Sequence, residues 1–173
     1  GQDRFFTVFC RILEDIDPSD ADFPDVLLAI MRQVAAEFRE RLKCDLKPGY
    51  FKQRWEELKG LLGSEVSFES LELESGLGKF TAAIKSSPST RNEIRKALDA
   101  TTQRWIDAAN DVLGDAIVQA QKKGYAGIAI IVDDLDKLSM LHQPELRGSV
   151  AERLFIERHG QLTAFRCHMI YTI

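Results

Sequence analysis

The stretch GIAIIVDDLDKL, Gly127–Leu138, runs directly from apolar residues into a cluster of acids. Its five apolar residues predict a buried β-strand over Gly127–Val132. Asp133, Asp134 and Asp136 follow the strand at once. Carboxylates at the end of a buried strand suit Mg²⁺, which prefers oxygen ligands and keeps several of its waters. The stretch therefore predicts a core strand that ends at a metal site. The alternative is a solvated loop in which the acids only cap turns.

Two further apolar segments predict strands on either side of this one, at Phe5–Leu13 and Cys167–Ile173. Between the strands, apolar residues recur at helical spacing. The predicted helices are Val26–Leu42, Phe51–Leu62, Ser87–Lys123 and Val150–Phe165. Strand, helices, strand, helix, strand is the order of a layered α/β fold with a parallel sheet, and such folds bind ligands at the carboxyl ends of their strands.

Local signals predict where some of these helices begin. An acidic loop, EDIDPSDADFPD, follows the first strand, and its Pro18 and Pro24 stop both strand and helix. Asp25 is placed to cap the first helix. Ser87 is placed to cap the long helix, with Pro88 in its first turn. The segment SEVSFESLELESGLG, 64–78, alternates imperfectly and predicts extended chain or a short hairpin.

Composition excludes some classes of protein. The 173 residues carry a net charge of -4, which gives no general attraction to nucleic acid or to anionic membranes. No apolar run approaches the ~20 residues of a membrane span. The N-terminal residues lack the basic, apolar and small-residue regions that are typical of a signal peptide. The three cysteines are widely spaced, which favours free thiols in a reducing cytoplasm over disulfides or zinc. Because both termini carry the apolar patterns of buried strands, we expect the chain to be an excised piece of a larger protein.

The acidic strand end resembles a known family motif. GIAIIVDDLDKL is similar to the Walker B segment of P-loop NTPases, most of all those of the AAA-like, KAP-type and STAND-type ATPases. The resemblance covers most of the chain in element order. It implies a three-layer α/β fold in which residues 1–173 form a partial P-loop NTPase domain. The three predicted strands would be the family's second, third and fourth. A mostly helical insertion over 25–123 would separate the second from the third.

The resemblance also implies roles for individual residues. Asp133 matches the aspartate that holds Mg²⁺ through water. Asp134 matches the acid that activates the attacking water, a position where AAA proteins usually carry glutamate, and in some relatives that role would fall to Asp136. Thr172 lies where a sensor residue would contact the γ-phosphate or the water. Arg153 and Arg158 are placed on the following helix, where an arginine can reach a neighbour's nucleotide, although solvated arginines are the plainer interpretation.

The phosphate-binding loop of the family is not found in the sequence. The nearest segment, ESGLGKFTA, has Phe80 after Gly78-Lys79 instead of Ser or Thr, and Leu73 where the first glycine should stand. We therefore expect a glycine turn there and a phosphate loop N-terminal to Gly1. ATP and Mg²⁺ are expected ligands of the whole protein, whereas the fragment alone should bind neither tightly and should be inactive.

The family's strand order, five-one-four-three-two, implies that the three strands are neighbours in the sheet. The edge of Cys167–Ile173 would then lie open, and open apolar edges recruit partners. Self-association through this edge is the expected result. Three functions remain as hypotheses: part of an ATPase, a nucleotide switch with little turnover because of Asp134, and a non-catalytic interaction module of a signalling or defence protein.

Overall fold

Three parallel strands form the sheet of the protein. The computed structural model describes residues 4–47, 53, 56–57, 73–138 and 148–172. The strands are β1 (Phe6–Arg11), β2 (Ile128–Asp133) and β3 (His168–Tyr171), with β2 in the centre. Both strand pairs are parallel, as the sequence predicts, and the strands lie within one or two residues of their predicted positions.

Helices fill most of the chain between the strands. They are α1 (Phe23–Leu42), α2 (Leu73–Ser86), α3 (Pro88–Asp99), α4 (Thr102–Lys122), α5 (Val150–Glu152) and α6 (His159–Leu162). A π-helical turn, Arg153–Glu157, separates α5 from α6, and two 3₁₀ turns follow β1 and β2 at Ile12–Glu14 and Leu135–Lys137. The long helical segment α1–α4 thus lies between β1 and β2. Among the described residues between β2 and β3, only short helices occur.

The first helix begins earlier than predicted. Asp22, not Asp25, is its N-cap: the Asp22 carboxylate accepts from the backbone N–H of Phe23 at 2.7 Å. Asp25 closes the capping box, because its carboxylate accepts from the backbone N–H of Asp22 at 2.9 Å. Pro24 lies in the first turn, where its missing N–H costs nothing, so the proline starts this helix and does not end the preceding loop.

Other predicted helix bounds need correction. The predicted helix 87–123 is two helices, α3 and α4, although the Ser87 cap is confirmed by its contact with the backbone N–H of Thr90. The predicted helix 150–165 is broken by the π-helical turn. Residues 73–78 belong to α2, so the extended or turn conformation predicted there is wrong. The rest of 64–78, and nearly all of the predicted helix 51–62, lie outside the described residues.

The sheet has one covered and one open face, so the predicted three layers are not found among the described residues. Phe6, Val8 and Cys10 of β1 are buried beneath the helices, whereas Phe9 between them is 56% exposed. On β3, Ile170 is 50% exposed. The register aligns Phe9 with Ile131 and Ile131 with Ile170, which forms an apolar row across the open face. The sheet and the described helices therefore make two layers.

The two outer edges of the sheet differ. On β1, Arg41 of α1 donates to the carbonyl oxygen of Thr7 at 2.7 Å, and the Gln33 side chain bonds both backbone groups of Arg11. On β3, the backbone groups of Met169 and Tyr171 point away from β2, and no described residue bonds them. Helix side chains thus bond the β1 edge at Thr7 and Arg11, while the β3 edge is open as far as the described residues show. No described helix has the length and apolar character needed to cross a membrane.

Candidate functional site

The carboxyl ends of the three strands bring together Arg11, Asp133 and Thr172. Arg11 ends β1 and is the register partner of Asp133, which ends β2. Thr172 follows β3, and its backbone N–H donates to the carbonyl oxygen of Val132 at 3.0 Å. The site is therefore built by the parallel sheet itself, because parallel strands end at the same edge.

Asp133 is held as a carboxylate in this site. The Thr172 hydroxyl donates to its Oδ1 at 2.5 Å. This hydrogen bond is the main cause that lowers the pKa of Asp133, followed by the backbone N–H of Asp134 and, more weakly, by the charges of Lys137 and Arg11. Because its pKa is lowered, the carboxyl group of Asp133 is ionised at neutral pH. Asp133 is also partly exposed, so the carboxylate is accessible to a hydrated cation.

Asp134 adopts a backbone conformation that is uncommon for a residue with a side chain. Its φ is 70° and its ψ is 10°, in the left-handed region, and the 3₁₀ turn starts directly after it. Buried Leu135 and Leu138 anchor this turn to the core. The left-handed residue redirects the chain sharply at the end of β2, and such conformations cluster at functional sites.

The Asp134 carboxylate is paired with Lys137 one turn later. The hydrogen bond and charge of Asp134 raise the pKa of Lys137, so the lysine stays protonated. Asp136, the other predicted acid, is exposed and lies within the 3₁₀ turn. Of the three acids, Asp133 alone makes a described contact with Thr172, the residue after β3. The Asp134 carboxylate is held by Lys137.

The two predicted arginines contact the loop after β1. Arg158 bonds the Asp22 carboxylate at 3.1 and 3.2 Å and that of Asp99 at 3.0 Å. Arg153 donates to the carbonyl oxygen of Ala21 at 2.9 Å. Both arginines thus attach the helix after β2 to the start of α1 and the end of α3, and neither contacts the three acids.

A buried ionic network, missed by the sequence analysis, fixes the same loop. Arg91, 3% exposed, bonds Asp17 and Asp20 at 3.3 and 2.9 Å. Arg95, four residues on, bonds Asp20 and the almost fully buried Asp25. Burial raises the pKa of Asp20, but hydrogen bonds and charges from Arg95 and Arg91 outweigh it and lower that pKa overall. The i, i+4 pair of arginines on one predicted helix was the available signal.

The residues at the strand ends fit a hydrated Mg²⁺ better than a closed metal site. No group of three or more described histidine, cysteine, aspartate or glutamate side chains is arranged to hold a metal. A single ionised, partly exposed carboxylate suits Mg²⁺, which commonly takes one or two protein ligands and keeps its waters. Gly76 and Gly78 lie inside α2 and not in the predicted glycine turn, and a helix interior is inconsistent with a phosphate loop.

Tryptophan, histidine and cysteine side chains have ordinary surroundings where the structure describes them. Trp105 is core, at 3% exposure, and Trp55 lies outside the described residues. His159 and His168 are exposed, while His142 lies outside the described residues. The three cysteines are free thiols, and burial raises the pKa of Cys10 to about 12 and that of Cys167 to about 11. Neither thiol is a nucleophile at neutral pH.

Comparison of the chain with protein-family models, with curated proteins and with solved structures found no match.

Proposed function

We propose that residues 1–173 supply the metal-binding and catalytic-acid part of an ATP-hydrolysing P-loop NTPase of the AAA-like, KAP and STAND group. The observation that carries this proposal is the Asp133–Thr172 pair at the carboxyl end of a three-stranded parallel sheet. A central strand that ends in an ionised aspartate, beside a hydroxyl on the neighbouring strand, is the arrangement that the Walker B resemblance requires.

In this proposal each acid has a separate task. Asp133 holds Mg²⁺ through water, and Thr172 fixes the orientation of its carboxylate. Bound Mg²⁺ supplies neutralisation of phosphate charge. Asp134 orients the attacking water and accepts its proton, with Asp136 as the alternative acid. Asp134 is free to do so only when it leaves Lys137.

The open edge and the open face of the sheet are surfaces on which a phosphate-binding strand, loop and helix from outside these residues could pack. The chain steps from β1 to β2 to β3 in one direction, with its helices on one face. A proposed strand that pairs with the β3 edge and then connects to β1 would cross the sheet in the direction opposite to the steps from β1 to β3. Because such crossovers are right-handed, its helix must pack on the opposite face, which is the open one. One strand–loop–helix unit thus covers both apolar surfaces and places its loop beside Thr172.

The helical segment α1–α4 is then an insertion between the second and third core strands of the family fold. It is anchored to the site-bearing sheet by its own helices and by the ionic network around Asp20. We assign it no nucleotide contact. Arg153 and Arg158 are structural in this account, because their described partners all belong to the loop after β1 and to α3.

A nucleotide switch with slow turnover is the second candidate. The observation that favours it is the Asp134–Lys137 ion pair, since a carboxylate that is bonded to a lysine is not available to orient the attacking water. A switch retains ATP tightly and releases phosphate slowly. The two candidates share the binding site and differ only in the rate of hydrolysis.

Self-association belongs to the same proposal. In residues 1–173 alone, the backbone groups of Met169 and Tyr171 are available to a strand of a second copy. The predicted edge reached Ile173, which lies outside the described residues. We place the protein in the cytoplasm on the strength of its free thiols.

The direct test is equilibrium binding of ATP to the natural protein that contains these residues, with and without Mg²⁺. The proposal predicts Mg²⁺-dependent binding that the Asp133→Asn variant loses. The matched control is Asp107→Asn, an exposed aspartate of α4 that carries the same change of charge. Binding that is absent, or indifferent to Mg²⁺ and to Asp133, contradicts the proposal and leaves an interaction module.

A further inference from the structure

The backbone of Arg11 is fixed at the end of β1 by the side chain of Gln33. The Arg11 N–H donates to Gln33 Oε1 at 2.8 Å, and Gln33 Nε2 donates to the Arg11 carbonyl oxygen at 2.9 Å. These two bonds replace those that a further strand would form. Arg11 is therefore as well positioned as a residue in the middle of a sheet.

Gln33 is itself held by a buried polar cluster. It is 5% exposed, and its Nε2 also donates to Asp15 Oδ2 at 2.7 Å. Asp15 in turn accepts from the Thr81 hydroxyl at 2.8 Å and pairs with Arg32. The cluster joins the end of β1 to α1 and α2. The backbone of the exposed Arg11 is thus supported by the buried side chains of Gln33 and Asp15.

The Arg11 side chain lies on the open face of the sheet, beside Asp133. It is exposed, it belongs to the same alternating set as Phe9, and Arg11 is the register partner of Asp133. Arg11 forms no ion pair with any residue that the structure describes. Lys137, a cation in the turn after β2, is paired with Asp134.

Protection of the sheet edge does not account for this guanidinium. Charged side chains often blunt the edges of sheets. At Arg11, however, Gln33 already satisfies the backbone N–H and C=O that an added strand would use. A cation that neither pairs with an acid nor protects an edge, next to an ionised carboxylate at the ligand end of a sheet, is available for an anion.

We propose that Arg11 is an anion-binding residue and that it contacts phosphate oxygens of the bound nucleotide. This inference rests on the proposed function and extends it to a residue outside the Walker B resemblance. The planar guanidinium forms paired hydrogen bonds with phosphate, which a lysine cannot reproduce. Asp133 and Arg11 then divide the ligand between them, the carboxylate facing the cation and the guanidinium facing the phosphate oxygens.

The test uses inorganic pyrophosphate without metal, so that Arg11 is examined independently of Asp133. Binding to the natural protein is followed by calorimetry at low ionic strength, where charge interactions are least screened. Loss of a charge-assisted hydrogen-bonded contact predicts at least roughly tenfold weaker binding for Arg11→Ala. Arg11→Lys should fall between that variant and the wild type. Arg4→Ala, which removes an exposed arginine just before β1, should bind as the wild type does.

The outcomes separate this inference from the proposed function. Pyrophosphate binding that is absent, or equal in Arg11→Ala and wild type, overturns the role of Arg11, whatever Asp133→Asn does to Mg²⁺-dependent ATP binding. Arg11-dependent pyrophosphate binding supports the role. If ATP binding is then indifferent to Asp133, the nucleotide function fails while the anion site stands. Because Arg11 is exposed, we expect unchanged thermal unfolding in both of its variants.

Discussion

The hydroxyl of Thr172 donates a hydrogen bond to the carboxylate of Asp133 across the neighbouring strands β3 and β2. Two residues 39 positions apart in the sequence thus form one polar pair at the carboxyl edge of the sheet. The pair depends on the parallel pairing and on the register that places Thr172 opposite the end of β2. It connects the fold directly to the proposed function.

The first prediction concerns the ionisation of Asp133. Thr172→Val removes the largest contribution to the lowered pKa, so the pKa of Asp133 should rise toward its usual value. In the wild type, the stability linked to this low pKa is present above the unfolded-state pKa and is lost as pH falls through the folded-state pKa. Carboxyl ¹³C shifts against pH measure the change. Thr163→Val, which removes an exposed hydroxyl that bonds backbone carbonyls near α6, should leave the pKa of Asp133 unaltered.

The second prediction tests the two faces of the sheet with neighbouring isoleucines. Ile130 is fully buried beneath the helices, and Ile130→Ala should lower the free energy of unfolding by about 2–5 kcal/mol. Ile131 lies on the open face, and Ile131→Ala should cost about 1 kcal/mol or less because part of its surface is already in water. Urea unfolding of residues 1–173 measures both. Equal losses would contradict a two-layer fold.

The third prediction concerns the ionic network. Arg95→Met leaves Asp25 buried without its partner and should lower the free energy of unfolding by about 3–5 kcal/mol. Arg39→Ala is the comparison, since Arg39 pairs with the largely exposed Asp45, and it should cost at most about 1 kcal/mol. Chemical denaturation at neutral pH gives both values. A loss for Arg95→Met no greater than that for Arg39→Ala would show that the network is unimportant for stability.

The fourth prediction concerns the open edge. Met169→Pro removes an N–H that points away from β2, so β3 should stay paired with β2 while the edge no longer accepts a partner strand. Residues 1–173 should associate as concentration rises, and the variant should not. Sedimentation velocity over a range of concentrations measures this. Ile170→Pro is the contrasting change, because it removes an N–H that faces β2 and should destabilise the sheet. A wild type that stays monomeric throughout would refute the edge as a contact.

The apolar pattern of the sequence was sufficient to place all three strands, and the strand order implied by the Walker B resemblance placed β2 in the centre. Apolar runs at Phe6–Arg11, Ile128–Asp133 and His168–Tyr171 are long enough to be read without tertiary information. The sequence was not sufficient to divide α3 from α4. Apolar spacing continues through the break, where the hydroxyls of Thr101 and Thr102 bond the carbonyl oxygens of Ala97 and Leu98. Such local bonds compete with helix continuation and leave no mark on periodicity.

The exposed face of the sheet could not be predicted for a different reason. The strands β1 and β3 carry apolar residues on both of their faces, and Phe9 and Ile170 are the ones on the open face. Such a continuous apolar pattern is typical of strands that are buried on both faces. The described helices cover one face only. The site shows the same limit: the acids were found from the sequence, whereas the roles of Gln33 and Arg11 depend on a contact between residues 22 positions apart.

The central claim is that Asp133 belongs to an ATP-hydrolysing site, and steady-state ATP turnover tests it most directly. The measurement compares the natural protein containing these residues with its Asp133→Asn and Asp107→Asn variants, at saturating Mg²⁺. The account predicts turnover in the wild type and in Asp107→Asn, and a loss of at least about a hundredfold in Asp133→Asn, the scale on which single charge-stabilising groups act in catalysis. Turnover that survives Asp133→Asn unchanged would contradict the account.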